Sequence, residues 1–176
     1  MAIDRQKTET VHWHAVFTAS RAEKKVRDRL EELGVECFLP VQTVLRQWTY
    51  RKSRVVVPVI AGLVFVRVGR QEQVKVLQTK GVVAFLRLKG EAWAAVIPDK
   101  QMEDFRFLLD FSEEAVEMTN ENIKAGDLVR VMKGSLRGME GELIRHKGVT
   151  KVLVRIDMLG CAMVNIPASF VEKLNK

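Results

Sequence analysis

From Ala125 to the C-terminus the texture differs from that of the chain before it. Short apolar-polar runs recur instead: LVRVM (128–132), ELIRH (142–146), KVLVRID (151–157), AMVNIP (162–167) and a last piece, SFVEKL. Turn signals separate them at Gly126-Asp127, from Gly134 to Gly141, at Lys147-Gly148 and at Leu159-Gly160. Strands this short and this regularly spaced predict a small antiparallel barrel, whose closure protects edges that so small a sheet cannot otherwise cover. The β-branched runs KVLVRID and AMVNIP argue against a helical alternative.

The glycine-rich stretch GSLRGMEGEL (134–143) poses a choice between a phosphate-binding loop and a barrel turn. A Walker-type loop requires a Lys-Ser/Thr pair and a following helix, and neither is present. The glycines answer a backbone need, a tight turn or a close approach between strands. Leu136, Arg137 and Met139 at the turn read either as a contact patch or as a cap on the barrel's end.

Before residue 112 the texture is mixed. WHAVF (13–17) predicts a strand. Ser20 and Glu23 stand at capping-box spacing, followed by Ala22, Val26, Leu30 and Leu33 at helical period, with Gly34 as the stop. VECFLP (35–40) predicts a second strand, and residues 44–57 a hairpin turning at 50–53. Ile60–Val68 reads as a buried strand, because Leu63-Val64-Phe65-Val66 has no polar break. A short helix over 71–78 with Val74 and Leu77 inward, a strand over 82–88, and a helix N-capped by Asp99 with Met102, Phe105, Leu108 and Leu109 as its stripe complete the half. The fold class is therefore α+β: a ferredoxin-like antiparallel sheet with helices, followed by a small SH3-like β-barrel. The expected boundaries are a disordered tail over 1–10, a first domain over 11–111, a polar linker over 112–124 and the barrel over 125–176.

Of the 176 residues, 47% are hydrophobic, enough for packed cores, yet no apolar run approaches the roughly 20 residues of a membrane span. The N-terminus lacks the apolar segment of a secretory signal. Two cysteines, Cys37 and Cys161, read as reduced, half-buried thiols of a cytoplasmic protein. His12, His14 and His146 have no companions at metal-ligand spacing. No paired carboxylates, nucleophile elbow or metal cluster is present, so neither an enzyme nor a cofactor is expected. Net charge is +7, which favours an acidic partner. The cations are unevenly placed: from Cys37 to Gln71 there is no Asp or Glu, while Arg46, Arg51, Lys52, Arg54, Arg67 and Arg70 all fall there. That stretch reads as a solvated basic loop or as an anion-facing surface.

GDLVRVMKGSLRGMEGELIR resembles the KOW motif, and the first domain resembles the NusG N-terminal (NGN) domain. The second likeness is carried by Trp13, Glu23-Lys24-Lys25-Val26, Phe38-Leu39-Pro40, Pro58, Gly62 before Leu63-Val64-Phe65-Val66, Gly81-Val82-Val83 and Ile97-Pro98-Asp99. VLRQWTYRKSR and NIPASFVEKL are similar to the specialised paralogues of surface-polysaccharide operons (UpxY-like). The resemblance implies a monomeric transcription elongation or antitermination factor, bound to RNA polymerase at the β′ clamp helices and the β gate loop. It implies polymerase contacts at Phe17, Ile60, Leu63 and Phe65, where Ile60 and Leu63 replace the aromatics usual in relatives, and gate-loop contacts at Glu72 and Gln73. Arg29 and Lys80 are implied to meet nucleic acid, non-template DNA or RNA, beside the basic residues Arg46, Arg51, Lys52 and Arg54. The barrel would recruit a ribosomal protein or Rho through Leu136, Arg137 and Met139. Its cations, Lys133, Arg137, Arg145, Lys147, Lys151 and Arg155, leave RNA open as a partner. The alternative is an RNA-binding protein acting without polymerase: GLVFVRV echoes an RRM strand, although Leu63 takes the place of a stacking ring.

Overall fold

The computed structural model describes residues 9–174, so most of the expected N-terminal tail, residues 1–8, lies outside the described residues. In chain order the elements are β1 (His12–Thr18), α1 (Glu23–Glu32), β2 (Glu36–Phe38), β3 (Val41–Trp48), β4 (Arg51–Pro58), β5 (Leu63–Val68), α2 (Glu72–Leu77), β6 (Val82–Phe85) and α3 (Asp99–Phe111). They continue as β7 (Glu117–Thr119), β8 (Asp127–Val131), β9 (Glu140–His146), β10 (Val149–Ile156), β11 (Gly160–Asn165) and β12 (Val171–Lys173). The chain divides into two units, one running to Leu39 and resuming over Gly62–Val96, the other comprising Pro40–Ala61 and the chain from Ile97. The expected α+β class holds: an antiparallel sheet with helices, then a β-rich C-terminal sheet.

The first unit is a four-stranded antiparallel sheet in the order β2-β5-β1-β6. The unbroken apolar run of β5 explains its central place: Leu63, Val64, Phe65 and Val66 are all buried, so both faces of the strand are covered. β1 lies against it with Phe17 opposite Leu63 and His12 opposite Val68. α1 buries Val26 and Leu30 and ends as Gly34 predicts. The Gly34 amide donates to the Glu31 carbonyl and the Val35 amide to that of Leu30, a Schellman closure. Its start differs from the expected capping box. Arg21 takes a left-handed φ of 58°, Ala22 becomes the N-cap, and Ser20 lies too far back to cap. Glu23 is thereby freed, and its buried carboxylate accepts the Gly62 amide at 2.7 Å, pinning the chain just before β5.

α2 is turned by about one residue from the expected register. Val76 is fully buried, whereas Val74 and Leu77 are 58% and 40% exposed. The inward positions follow Gln73, Val76 and Thr79; Gln73 reaches towards His14, and the Thr79 hydroxyl donates to the Lys75 carbonyl. Polar side chains thus occupy most of the inner face, which an apolar-periodicity argument cannot detect. Glu9 is ordered, not part of a free tail: its carboxylate accepts the Gln71 amide at 2.8 Å.

The second unit holds the β3–β4 hairpin, α3 and a six-stranded antiparallel sheet in the order β12-β8-β9-β10-β11-β7. Pro98, not Asp99, is the N-cap of α3. Met102, Phe105 and Leu108 are buried as expected, and Leu109 is half-buried. Val129, Val131, Val152, Val154, Ile156, Ala162 and Val164 form one apolar layer of the sheet. Its reverse face carries a second cluster, Ile144, Leu153, Cys161 and Met163, with Ile123 packed upon it. Part of residues 112–124, expected as a linker, is built into the second unit: Glu117–Thr119 form β7, paired with β11, and Ile123 packs on the outer cluster. Arg155 fixes this segment. It donates to both Glu142 oxygens, at 2.6 and 2.9 Å, and to the Ile123 carbonyl at 3.0 Å, while Glu142 also accepts the Gly126 amide at 3.0 Å.

The glycine-rich stretch is a turn between β8 and β9, as the barrel reading predicts. Gly138 adopts φ 91°, and a Cβ on Gly141 would stand 2.8 Å from Val152. Leu136 and Met139 point inward, 7% and 4% exposed, so they close the end of the sheet rather than forming a contact patch. Arg137 alone of the three is exposed.

Two acid sensitivities follow. Hydrogen bonds from Arg155 hold the Glu142 carboxyl below its usual value of 4.5. Its contribution is complete above that value and is lost as pH falls through the lower folded value. Glu142→Gln should cost about 1–2 kcal/mol, reduced because Arg155 is partly open to solvent, and should flatten the acid limb of a denaturation series run below pH ~4.5. Burial holds the His14 imidazole below 6.5, against the opposing hydrogen bond to the Ala95 carbonyl. The neutral ring is favoured by folding, so stability should fall as pH drops below about 6.5, where only the unfolded chain takes up the proton. His14→Gln should remove that slope in thermal melts at stepped pH.

Candidate functional site

The expected apolar contact set separates into core and surface. Leu63 and Phe65 are 2% and 0% exposed, and Phe65 stacks on Phe38 with centroids 6.2 Å apart. Neither side chain is available to a partner, because the strand they share is buried on both faces. Phe17 is 41% exposed near the end of β1, although its backbone is paired on both sides, with Leu63 and Ala84. Ile60 is half-buried in the turn between β4 and β5. Of the four, Phe17 in the first unit is open to solvent and Ile60 in the second is partly so.

Glu72 is exposed, and its carboxylate stands 3.4 Å from the Gly69 amide. Gln73 is half-buried and donates to Nε2 of His14 at 3.5 Å, so part of its hydrogen-bonding capacity serves the fold. The outer face of α2 shows the exposed Val74 and Leu77. Leu33, 43% exposed at the end of α1, is tied to the same helix by Lys75, whose ammonium donates to the Leu33 carbonyl. Apolar period places Val74 and Leu77 in the core, whereas the structure turns them outward; the sequence signal for this strip is the polar series Gln73 and Thr79 flanking Val76. Beside His14, a cavity of about 470 Å³ is lined by Glu9, His12, Arg70, Gln73 and Trp93, with the Arg70 guanidinium 3.3 Å above the Trp93 ring.

Of the expected nucleic-acid residues, Arg29 and Lys80 are brought together: the Arg29 guanidinium donates to the Lys80 carbonyl at 2.6 Å. Arg29 is thus committed to joining α1 to the loop after α2, and the Lys80 side chain is the exposed charge. Arg46, Arg51, Lys52 and Arg54 all lie exposed on the β3–β4 hairpin. Cross-strand partners are Trp48 with Arg51, Gln47 with Lys52, Arg46 with Ser53 and Leu45 with Arg54. Side chains alternate between faces along a strand. One face of the outer hairpin therefore carries Trp48, Arg51 and Arg46, and the other carries Lys52, Arg54 and Leu45. At its base the Gln42 amide bonds twice to the backbone of Val116, donating to the carbonyl at 3.2 Å and accepting from the N–H at 2.9 Å.

Neither thiol is poised for chemistry. Burial pushes Cys37 up to about 11 and raises Cys161 as well. No helix among the described residues is long and apolar enough to cross a membrane.

No curated protein matches the sequence. Among solved structures, Thermotoga maritima NusG superposes with a TM-score of 0.50 at 22% identity, covering 94% of this chain and 98% of that one. Chains of the MjSpt4:Spt5 complex in conformations B and A give TM-scores of 0.32 and 0.30, each at 17% identity. They cover 93% of this chain in both cases, and 97% and 99% of their own. A family model described as NusG, transcription termination factor nusG, matches residues 11–106, more than half of the sequence. The chain belongs to the NusG family.

Proposed function

We propose that this transcription factor regulates elongation or antitermination by docking on RNA polymerase through Phe17 of the first unit, with Ile60 of the second unit as a further contact residue, acting by contact and not by catalysis. The observation that carries the reading is the 41% exposure of Phe17 on a strand whose other apolar residues from Trp13 to Val16 are buried. An aromatic ring left in water at the end of a buried strand is the kind of anchor a larger apolar pocket accepts, with charge around it setting orientation. On the polymerase, the β′ clamp helices are the proposed site, and Glu72 and Gln73 face the β gate loop. The basic residues Lys80, Arg46, Arg51, Lys52 and Arg54 face nucleic acid in that assembly. The C-terminal sheet recruits a second partner, a ribosomal protein or Rho, with Arg137 as the surface residue of its glycine-rich turn. Operon-specific antitermination of the surface-polysaccharide type is the finer form of this proposal.

The sheet itself is a poor base-stacking platform. Phe65 and Leu63, at the positions where an RRM presents its rings, are buried. That favours docking on polymerase over an RRM-like mode of RNA binding.

In capture assays with purified host core polymerase, Phe17→Asp combined with Ile60→Asp should weaken binding by about tenfold or more while thermal melting stays close to wild type. Leu63→Asp should instead unfold the first unit, since it buries a charge without a partner. Wild-type affinity in the folded double variant removes the surface assignment, and a wild-type protein that captures no polymerase removes the function.

A further inference from the structure

We propose that the tip of the β3–β4 hairpin is a binding site for single-stranded nucleic acid, in which Trp48 and Tyr50 stack on unpaired bases while the adjoining cations hold phosphates. The inference builds on the reading of the basic residues as facing nucleic acid, but needs no polymerase contact.

Three observations carry it. First, the tip exposes large apolar side chains that the fold does not use: Tyr50 is 98% exposed, Leu45 70% and Trp48 57%. Tyr and Trp bury large areas when they can, and two of them solvated within three residues of chain is a surface built for contact. Second, the Trp48 ring is held in place. Its Nε1–H donates to the Ser53 hydroxyl across the hairpin at 3.2 Å, fixing the polar edge while more than half of the residue stays open. Third, the charge is of one sign. Arg51 stands directly opposite Trp48, Arg46 lies two residues along on the same face, and Lys52 and Arg54 occupy the other. No acidic residue occurs anywhere from Cys37 to Gln71.

The combination selects the partner. Trp, Tyr and Arg recur in protein interfaces as well, so the rings alone do not choose; the charge does, because Arg46 and Arg51 share the Trp48 face, Lys52 and Arg54 the other, and no acid occurs among them. A polyanion neutralises those charges and releases its counterions. A duplex satisfies the cations but keeps its bases stacked on one another, so the exposed rings gain nothing from it. An unpaired strand satisfies both, because each base offers a face to an aromatic ring whatever its sequence.

The test uses the full chain and fluorescein-labelled strands of about 12 nucleotides, dT and U, with a duplex of equal length, followed by anisotropy between about 50 and 200 mM salt. Single strands should bind more tightly than the duplex. Trp48→Ala and Tyr50→Ala should each weaken the single strand roughly fivefold to hundredfold with little effect on the duplex, and Trp48→Phe should recover most of the loss. Arg51→Gln with Arg54→Gln should lower the slope of log affinity against log salt. Both rings are solvated, so thermal melts of the ring variants should match wild type. The proposal is overturned if no strand binds at the lowest salt, if the double ring variant binds single strands as wild type does, or if the duplex binds as well as the single strand through contacts the ring variants leave intact, which would make the hairpin a groove-binding ribbon. Polymerase capture by the ring variants is scored separately. Retained capture with lost strand binding separates this site from the docking surface, and lost wild-type capture with retained strand binding leaves this site standing alone.

Discussion

The two-faced burial of β5 is the constraint on which the first unit rests. Four consecutive residues, Leu63 to Val66, are almost wholly removed from water, which a strand at a sheet edge or with one wet face cannot achieve. The requirement puts β5 inside the sheet, gives it β1 on one side and β2 on the other, and demands a covered layer on each face. It also fixes the strand's entry. Glu23, buried in the first turn of α1, holds the Gly62 amide with its carboxylate, so the helix sets where β5 begins. What is left for a partner follows by subtraction: Phe17 is exposed although it pairs with Leu63 and Ala84 on either side, and Ile60 stands half-buried ahead of Gly62.

Apolar period was legible wherever packing is one-sided and apolar. The stripe of α3, the Gly34 stop of α1, the hairpin and the alternation of β8 all emerge from residue type alone. The misreadings share a cause. In α2 the inner face is Gln73, Val76 and Thr79, and polar side chains with internal partners look like surface in a sequence. Ser20 and Glu23 stand at capping distance, but the left-handed turn at Arg21 sends Glu23 to a backbone amide thirty-nine positions away. Leu136 and Met139 were ambiguous because loop position and burial are independent, and the turn between β8 and β9 folds them inward. The identity of a site residue was harder to see than the element carrying it: family likeness pointed at β5, and burial moved the accessible surface to its flanks.

In the C-terminal sheet the same principle decides what a polar segment does. Residues 112–124 read as a linker because they are acidic and lack period, yet β10 and β11 have a second apolar face to cover, built from Leu153, Cys161 and Met163 with Ile144. Ile123 supplies that cover, and the Arg155–Glu142 pair ties the chain around it to the sheet. The few apolar residues of this polar run are used: Val116 is buried, Met118 lies in β7 opposite Ala162, and Ile123 packs on the outer cluster. Composition averaged over the segment conceals them.

The acid-free stretch from Cys37 to Gln71 shows how one compositional signal can serve two ends. Its second part, β5, needs the absence of acids because an unpaired carboxylate there would be buried at great cost. Its first part, the outer hairpin, is solvated and could carry acids freely, since Arg46, Arg51, Lys52 and Arg54 would each accept one as a surface partner worth little to stability. Acids are missing from the place where the fold is indifferent to them. Stability therefore does not account for the hairpin's charge, whereas the proposed polyanionic partner would: a carboxylate beside Trp48 or Tyr50 would repel the phosphates that the neighbouring cations are proposed to hold.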